Sequence, residues 1–407
     1  MKPVASKLNK VGDVSVAEIL FYLAFFVYFI FSGIQRTEYL TVFGDSFEIA
    51  KIIIQIIVIG LLLLKLIVQS QRIEHYILAA AMVVLGFITW KMSGTAWLFW
   101  ASIFIVSGYG VDIDRLSFIV LASSLILLIT TIGGVAVGVI PNACFVRGGV
   151  VRYGMGFIHP NYLGLFCFIT CASFSATKLG SSIWPDLILL AVSAAFVLIA
   201  CNSRTSVLLM VFQALLLIVF YFCKSERPRD FSRRLFLYLF IGIVVISLYF
   251  MVCYNPANLI HAKLNNVLSG RLYFMNAYFK LAPFSLFGCS FEGFPPIYWE
   301  NGQSQIFVVD NAFAHLYLHF GVIAFAIFVA AYCFILRLFS KNKAWNSCLF
   351  LLVLMAVCGF TETVGLQIEC NYALVILSVF LFGTSHMESG INDCINLKEV
   401  NSCEYGQ

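Results

Sequence analysis

The sequence predicts an all-α polytopic membrane protein, with about twelve transmembrane helices and one large extracytoplasmic loop. Of its 407 residues, 61% are hydrophobic and only 11% are charged, and the mean hydropathy is +0.96. Soluble domains carry about 25% charged residues. Apolar runs of about 20 residues recur along the chain, and each can cross a hydrocarbon core of about 30 Å. Because lipid offers the backbone no hydrogen-bond partners, these runs are expected to be helices.

Twelve predicted spans follow one another, separated by charged or polar residues. They cover residues 14–34, 49–68, 73–90, 95–111, 116–140, 159–177, 182–201, 205–223, 235–254, 312–336, 345–360 and 370–385. The fourth and the last three are short or weakly separated, so eleven or ten spans also fit. The predicted divisions are spans one to five (1–140), spans six to nine with a shorter external loop (141–254), a large external loop (255–311), the C-terminal spans (312–386) and a tail (387–407).

The distribution of Lys and Arg predicts that both termini are cytoplasmic. With the N-terminus inside, 16 of the 25 Lys and Arg residues fall on the cytoplasmic face, and KSERPRDFSRR (224–234) supplies the strongest signal. Cytoplasmic loops are the ones that carry an excess of positive charge. The N-terminal stretch MKPVASKLNKVGD is basic and polar without a small-residue cleavage signature, so it fits a cytoplasmic tail better than a signal peptide.

Three arginines lie on the predicted external face, where the orientation rule disfavours them. Arg152 precedes the tripeptide HPN, Arg204 lies in CNSRTSV, and Arg271 lies in LSGRLYF within the large loop. A guanidinium group offers a rigid fork of donors that suits phosphate oxygens. The three residues therefore predict a site for an anionic headgroup such as a pyrophosphate. Each of them, taken alone, also fits a side chain that extends to lipid phosphates or that ends a helix.

Acidic and imidazole side chains share that face. Asp310 lies in VVDNAFAHLYLHFG, Glu362 lies in GFTETVG, and His315 and His319 stand four residues apart on one helical face. An ionisable group at a membrane boundary is costly unless it is solvated or paired, which favours a functional role. Asp310 also fits a helix N-cap, and the two histidines also fit an interhelical hydrogen bond.

The stretch GFIHPNYLG (156–164) predicts a helix start at the outer membrane surface. Pro160 suits the first turn of a helix, so His159 or its neighbour is expected to begin one, with Asn161 following. Such a helix start offers free N–H groups and the positive end of a dipole, which suit an anion. The 13 cysteines lie mostly within apolar runs and fit core packing. No CxxC or His/Cys cluster has metal-ligand spacing, so neither a metal nor another cofactor is predicted.

Four segments, in this order, carry a resemblance to a known family: RYGMGFIHPN (152–161), NSRTSVLLM (202–210), LSGRLYFMNAYFKL (268–281) with FSLFG after it, and DNAFAHLYLHFGVI (310–323). Together they resemble the Wzy-type polysaccharide polymerases of the O-antigen polymerase and ligase superfamily, most closely the form found in capsule and exopolysaccharide clusters. The resemblance covers roughly residues 150–385. It implies a GT-C-like architecture in the bacterial cytoplasmic membrane.

The resemblance implies an inverting, metal-independent glycosyl transfer at the outer face of that membrane. A glycan on polyprenyl pyrophosphate would be the donor, and a sugar hydroxyl of a lipid-linked repeat unit would be the acceptor. Arg152, Arg204 and Arg271 would bind the leaving pyrophosphate as its negative charge builds up. Implied partners are polyprenyl-pyrophosphate-linked oligosaccharides and membrane lipid, with a flippase and a chain-length regulator as optional ones, and no nucleic acid.

The general base is the role on which the sequence departs from the family pattern. Many relatives have His-Asn where this chain has Asp310-Asn311. A carboxylate can replace imidazole if its surroundings raise its pKa towards the working pH. Asp310 is therefore the first candidate for the base, His159 the second and Glu362 the third. Asn161, Asn311 and His315 are expected to support the site.

Two other functions fit the same sequence features. An enzyme like the O-antigen ligases would share the chemistry and the arginines but would transfer finished glycan to a lipid, protein or wall acceptor. A transporter or flippase of lipid-linked oligosaccharide would instead place charged residues and broken helices near the bilayer midplane. The notable charges lie at predicted outer ends of spans, which favours an enzyme.

Overall fold

The computed structural model describes residues 10–383, apart from 12–13, 70, 148, 224, 283, 293, 295–296, 299–303 and 306–308. This part of the chain is largely helical, and its helices are α1 (Val16–Ile34), α2 (Tyr39–Phe43), α3 (Ser46–Val68), α4 (Ile73–Ser93), α5 (Trp97–Ser107), α6 (Ile113–Ala136), α7 (Pro160–Thr177), α8 (Trp184–Ala200), α9 (Arg204–Phe222), α10 (Glu226–Cys253), α11 (Leu259–Val267), α12 (Arg271–Leu281), α13 (Ala312–His315), α14 (Val322–Lys341), α15 (Ser347–Thr361) and α16 (Ser378–Phe382). The predicted tail 387–407 lies outside the described residues, as do residues 1–9.

Short hairpins and tighter turns complete the described secondary structure. Three antiparallel hairpins pair β1 (Lys10–Val11) with β2 (Val14–Ser15), β3 (Cys144–Arg147) with β4 (Val150–Tyr153), and β5 (Ile297–Tyr298) with β6 (Ser304–Gln305). A π-helical turn covers Leu316–Phe320, and 3₁₀ segments cover Thr363–Leu366 and Tyr372–Leu377.

Seven described helices are long and apolar enough to cross a membrane, namely α1, α3, α4, α6, α9, α10 and α14. Four shorter apolar helical stretches accompany them: Trp97–Ser107, Trp184–Ala200, Ser347–Thr361 and Tyr372–Phe382. These features agree with the predicted all-α, multi-pass membrane protein. The total of twelve spans and the sidedness of the termini stay predictions.

Three predicted spans differ from a single continuous α-helix. The fourth contains only the eleven residues of α5, which at about 1.5 Å per residue are too short to cross the hydrocarbon core alone. The tenth is divided, because Gly321 has a φ of 91° that separates the π-helical turn from α14. The last consists of the 3₁₀ segment 372–377 followed by the short α16.

Apolar side chains cover the outside of the helical bundle. On α3 and α4, for example, Ile49, Ile67 and Ile77 are all well exposed, with Ile67 at 74%. Monomeric soluble proteins rarely expose apolar patches of this extent. In contact with hydrocarbon chains these faces carry no solvation cost, so the pattern agrees with a protein that is embedded in lipid.

The core is centred on α15, whose side chains are almost all buried. This helix packs against α7, α9 and α10, and the 3₁₀ segment 372–377 beside it is fully buried. At one end of α15, Trp345 stacks on Phe220 with ring centroids 4.2 Å apart. The other end stops at Thr361, so Glu362 directly follows a helix whose side chains are almost all buried.

Two helix starts test the capping rules applied to the sequence. At α7 the prediction is confirmed, because His159 is the N-cap, its Nδ1 accepts a hydrogen bond from the Asn161 N–H at 3.1 Å, and Pro160 follows it. At α13 the N-cap is Asn311, whose Oδ1 accepts from the Ala314 N–H at 2.9 Å. The N-cap interpretation of Asp310 is therefore wrong, and its carboxylate is directed to another partner.

The predicted large loop, 255–311, contains two helices and a hairpin. Asn258 caps α11 by accepting hydrogen bonds from two backbone N–H groups, and α12 packs against α10. Folding of this segment agrees with its many aromatic residues, although Trp299 lies outside the described residues. Its location outside the membrane stays a prediction.

Replacing Gly321 with alanine is expected to lower the free energy of unfolding by about 3 kcal/mol. Gly321 adopts φ 91° and ψ 168°, a region that side chains strongly disfavour, and an added Cβ would lie 2.4 Å from the Gly288 nitrogen and 2.6 Å from the Leu286 carbonyl oxygen. Thermal unfolding of the purified variant in detergent measures the effect. Gly60→Ala, in α3 with no atom within 4 Å of the new Cβ, is the control and is expected to gain about 1 kcal/mol. Equal Tm values for the two variants would contradict the prediction.

Candidate functional site

Three charged side chains that are far apart in the sequence meet at one end of the bundle. Arg271 donates from Nε to Asp310 Oδ2 at 3.2 Å and from Nη2 to Glu362 Oε1 at 3.0 Å. Its Nη1 donates to the backbone carbonyl of Thr361 at 2.5 Å. We call Arg271, Asp310 and Glu362 the acid–guanidinium cluster. The structure thus brings one predicted pyrophosphate ligand together with two of the three predicted bases.

Each member of the cluster occupies the terminus of a helix or the residue beside one. Arg271 is the first residue of α12 and follows Gly270, whose φ of 87° turns the chain into the helix. Glu362 follows the last residue of α15 in an extended conformation. Asp310 precedes Asn311, the cap of α13. The three side chains come from the ends of three different helices, and these ends meet at the cluster.

Asn311 fixes the position of Asp310. Its Nδ2 donates to Ser247 Oγ and to the Phe360 carbonyl, both at 2.9 Å, while its Oδ1 caps α13. One amide therefore joins the start of α13 to α10 and to the end of α15. Asn311 was expected to support the site, and these contacts give it such a position.

The cluster is largely shielded from solvent, with 18% of the Arg271 side chain, 32% of Asp310 and 19% of Glu362 exposed. Burial raises the pKa of Glu362 to about 7, against the lowering effect of Arg271 and with a further increase from the charge of Asp310. A carboxyl group with a pKa near 7 exchanges its proton at neutral pH. This property suits general acid–base catalysis.

A small pocket of about 20 Å³ lies beside the cluster, which is room for about one water molecule. Arg271, Asp310 and Thr361 form its polar wall. The remaining lining is mostly apolar and consists of Ser247, Phe250, Leu268, Leu272, Met275, Asn311 and Phe360. A few polar groups on an otherwise apolar concave surface are typical of ligand sites.

Arg152 is buried close to the start of α7. It donates from Nε to the Cys201 carbonyl at 2.8 Å and from Nη2 to Asn161 Oδ1 at 2.6 Å. These bonds join β4, the end of α8 and the first turn of α7. Arg152 therefore holds two helix ends in place, and the predicted supporting residue Asn161 is its direct partner.

Arg204 is the exposed first residue of α9. The next residue, Thr205, lies near enough to Glu362 to lower the pKa of that carboxyl group, so the start of α9 borders the acid–guanidinium cluster. The first N–H groups of a helix have no intrahelical acceptor and carry partial positive charge. Arg204 and the start of α9 together form a positive edge near Glu362.

The predicted histidines make contacts of a different kind. His159 caps α7 through Nδ1, and its ring lies 5.3 Å from that of Phe145. His315 is buried, with its ring stacked on Trp97 at 5.3 Å and 4.9 Å from the ring of His319. His319 in turn contacts Thr95 Oγ1 through Nε2 at 2.9 Å. The sequence offered an interhelical hydrogen bond as the alternative role of this pair. In the structure His319 contacts Thr95, in the connection between α4 and α5, and His315 packs on Trp97 of α5.

A second charged group lies at the same end of the bundle and was not singled out from the sequence. Arg36 Nη2 donates to Glu369 Oε1 at 2.5 Å and also to Gln367 Oε1, and its guanidinium carbon lies 5.8 Å from the centre of the Tyr162 ring. Arg36 stands just after the first span on the predicted external face. That placement, which it shares with Arg152, Arg204 and Arg271, was the signal available in the sequence.

Among the described residues, no three His, Cys, Asp or Glu side chains are grouped as metal ligands would be. No protein-family model, curated protein or solved structure matches the chain. The four sequence segments therefore carry the family resemblance alone.

Proposed function

We propose that the protein joins lipid-linked oligosaccharide repeat units into a capsular, exopolysaccharide or O-antigen chain. The reaction would be inverting glycosyl transfer from a polyprenyl-pyrophosphate-linked glycan at the outer face of the bacterial cytoplasmic membrane. The observation that supports it is the acid–guanidinium cluster. Both carboxylates accept hydrogen bonds from Arg271. The exposed Arg204 and the positive start of α9 lie nearby.

The proposed reaction forms one glycosidic bond and breaks one sugar–phosphate bond. A hydroxyl of the acceptor repeat unit attacks the anomeric carbon of the donor glycan from the side opposite the pyrophosphate. Its proton passes to a carboxylate of the cluster. The electron pair of the broken bond leaves with the pyrophosphate, so negative charge grows there and is stabilised by nearby cations.

Asp310 and Glu362 suit the role of proton acceptor better than His159 does. The Nδ1 of His159 already accepts the capping hydrogen bond of α7, whereas Arg271 binds both carboxylates, and Asp310 also lines the pocket. The pKa of Glu362, raised by burial to about 7, suits a base near neutral pH. Asp310, the first candidate from the sequence, would tune that pKa and orient Arg271.

Arg271 and Arg204 are the cations best placed for the pyrophosphate. Within the described part of the chain, Arg271 directs three hydrogen bonds to protein oxygens, and a guanidinium has five N–H groups. Arg204 is exposed next to Thr205, which contacts Glu362. Arg152 would contribute by holding the start of α7 through Asn161.

Purified protein, supplied in detergent with lipid-linked repeat units, tests this proposal. We expect a ladder of glycans extended on the lipid, and a much weaker ladder with Glu362→Gln. Arg72→Gln is the control variant, because Arg72 is exposed before α4 and outside the cluster. Failure of the native protein to extend the glycan, together with passage of the substrate across vesicles, would favour a transporter instead.

Deleting the gene separates polymerisation from ligation. Loss of a polymerase is expected to leave single repeat units in the cell. Loss of a ligase-like enzyme would instead leave long chains that are not attached to their acceptor. Accumulation of long unattached chains would therefore replace the proposed function with the ligase-like one.

A further inference from the structure

Arg36 joins three separate segments at the end of the bundle that holds the acid–guanidinium cluster. Its Nη1 donates to the Ser32 carbonyl at the end of α1 at 2.8 Å. Its Nη2 binds Gln367 and Glu369, and 12% of its side chain and 7% of that of Glu369 are exposed. Its own carbonyl accepts a hydrogen bond from the Ile158 N–H at 3.0 Å. One residue thus connects α1, the entry to α7 and the segment that follows α15.

The segment that follows α15 is buried and begins at Glu362. Residues 364–371 are all buried, including the charged side chain of Glu369. Taking a carboxylate out of water is costly unless a positive charge is supplied. Arg36 is the partner that forms an ion pair with Glu369, so the path of this segment depends on Arg36.

Internal hydrogen bonds hold the segment together. Asn371 Nδ2 donates to the Gly365 carbonyl at 2.7 Å, and the Asn371 N–H donates to the Gln367 carbonyl at 2.8 Å. Gly365 approaches the end of α15 so closely that a Cβ on it would lie 3.0 Å from the Gly359 Cα. A shift at Gln367 or Glu369 is therefore transmitted to Glu362 over a few residues.

Tyr162 links Arg36 to the cluster from the other side. The guanidinium of Arg36 lies over its ring, and Tyr162 is near enough to feel the charges of Glu362 and Asp310. The charges of Arg36 and of the acid–guanidinium cluster thus both reach Tyr162, in the first turn of α7.

We propose that Arg36 is a positioning residue that anchors the 363–371 segment through Gln367 and Glu369 and thereby holds Glu362 against Arg271. Its importance for glycan extension rests on the proposed function, whereas its effect on Glu362 does not. A displacement of about 1 Å in a reacting group can lower a rate about 100-fold. We therefore expect Arg36→Gln to reduce extension by about 10-fold or more without removing any group from the cluster.

Hydrogen–deuterium exchange of the full-length protein in lipid nanodiscs tests the anchor independently of activity. Arg36→Gln and Glu369→Gln are expected to increase exchange across 363–371, and the control Arg72→Gln is expected to leave it unchanged. Arg36→Lys is the second variant, in case Arg36→Gln does not fold. It keeps a positive charge for Glu369 but lacks the guanidinium fork that also reaches Gln367 and Ser32. Native-like exchange of 363–371 in both Arg36 variants would overturn the proposal.

Infrared titration of Glu362 tests whether anchoring by Arg36 affects the environment of the Glu362 carboxyl group. The carboxyl band is identified by its loss in Glu362→Gln, and its midpoint is then compared between the native protein and Arg36→Lys. We expect a midpoint at lower pH in the variant, because a released Glu362 becomes more solvated. An unchanged midpoint would overturn the positioning role. If both tests support the anchor but the native protein extends no glycan, only the proposed function fails.

Discussion

Glycan extension is expected to fall by at least about 100-fold when Arg271 is replaced with lysine, the size of effect seen when one preorganised donor is removed from a charge-stabilising site. The variant keeps the positive charge, so the loss isolates the geometry of the guanidinium. In the structure, Arg271 spreads three hydrogen bonds over Asp310, Glu362 and the Thr361 carbonyl. A lysine ammonium is a compact charge and cannot span these three acceptors while also facing a phosphate.

The measurement is the rate of extension by purified Arg271→Lys protein at matched concentration and matched Tm. Arg72→Lys provides the control, because it makes the same substitution at an exposed position before α4. Near-native extension by Arg271→Lys would remove Arg271 from the chemistry. In that case Arg204 at the start of α9 would be left as the principal cation for the pyrophosphate.

Local sequence rules predicted the helix start at His159 correctly and placed the cap of α13 one residue too early, at Asp310. His159 and Pro160 form a pattern that is complete within three residues, and the structure has the same start. At α13 two adjacent residues, Asp310 and Asn311, are both good N-caps. Asn311 takes the position, and its amide also donates to Ser247 and Phe360. Those partners lie far away in the sequence, so only the folded chain reveals the choice.

The sequence predicts the charged pairs of the site even less well than it predicts the helix caps. Arg36 and Glu369 are 333 residues apart, and Arg271 and Glu362 are 91 apart. The sequence predicts that Arg271 and Glu362 lie on the external face, and it does not single out Arg36 or Glu369. It does not predict which opposite charge each one meets, since pairing depends on how the helices pack. The predicted group of three arginines is accordingly divided in the structure, with Arg152 buried on Asn161 and Arg271 held by two carboxylates.

The pH dependence of extension is expected to identify the general base. Because the pKa of Glu362 is raised to about 7, this carboxyl group is ionised above that pH and protonated below it. If Glu362 accepts the proton, the rate of the native enzyme falls as the pH drops through about 7. Glu362→Gln is then expected to lose about 100-fold to 10,000-fold in rate, the range that general-base catalysis supplies. The residual rate should no longer depend on pH over that interval.

Asp310→Asn distinguishes the two carboxylates. The negative charge of Asp310 contributes to the raised pKa of Glu362, so its removal is expected to move the acidic limb of the residual activity to lower pH. If Asp310 itself were the base, Glu362→Gln would keep a pH-dependent residual rate and Asp310→Asn would lose that dependence. Rate profiles of the two variants and the native enzyme, measured with the same lipid-linked substrate, decide between these outcomes. Arg271 takes part in both cases, because its guanidinium group binds both carboxylates.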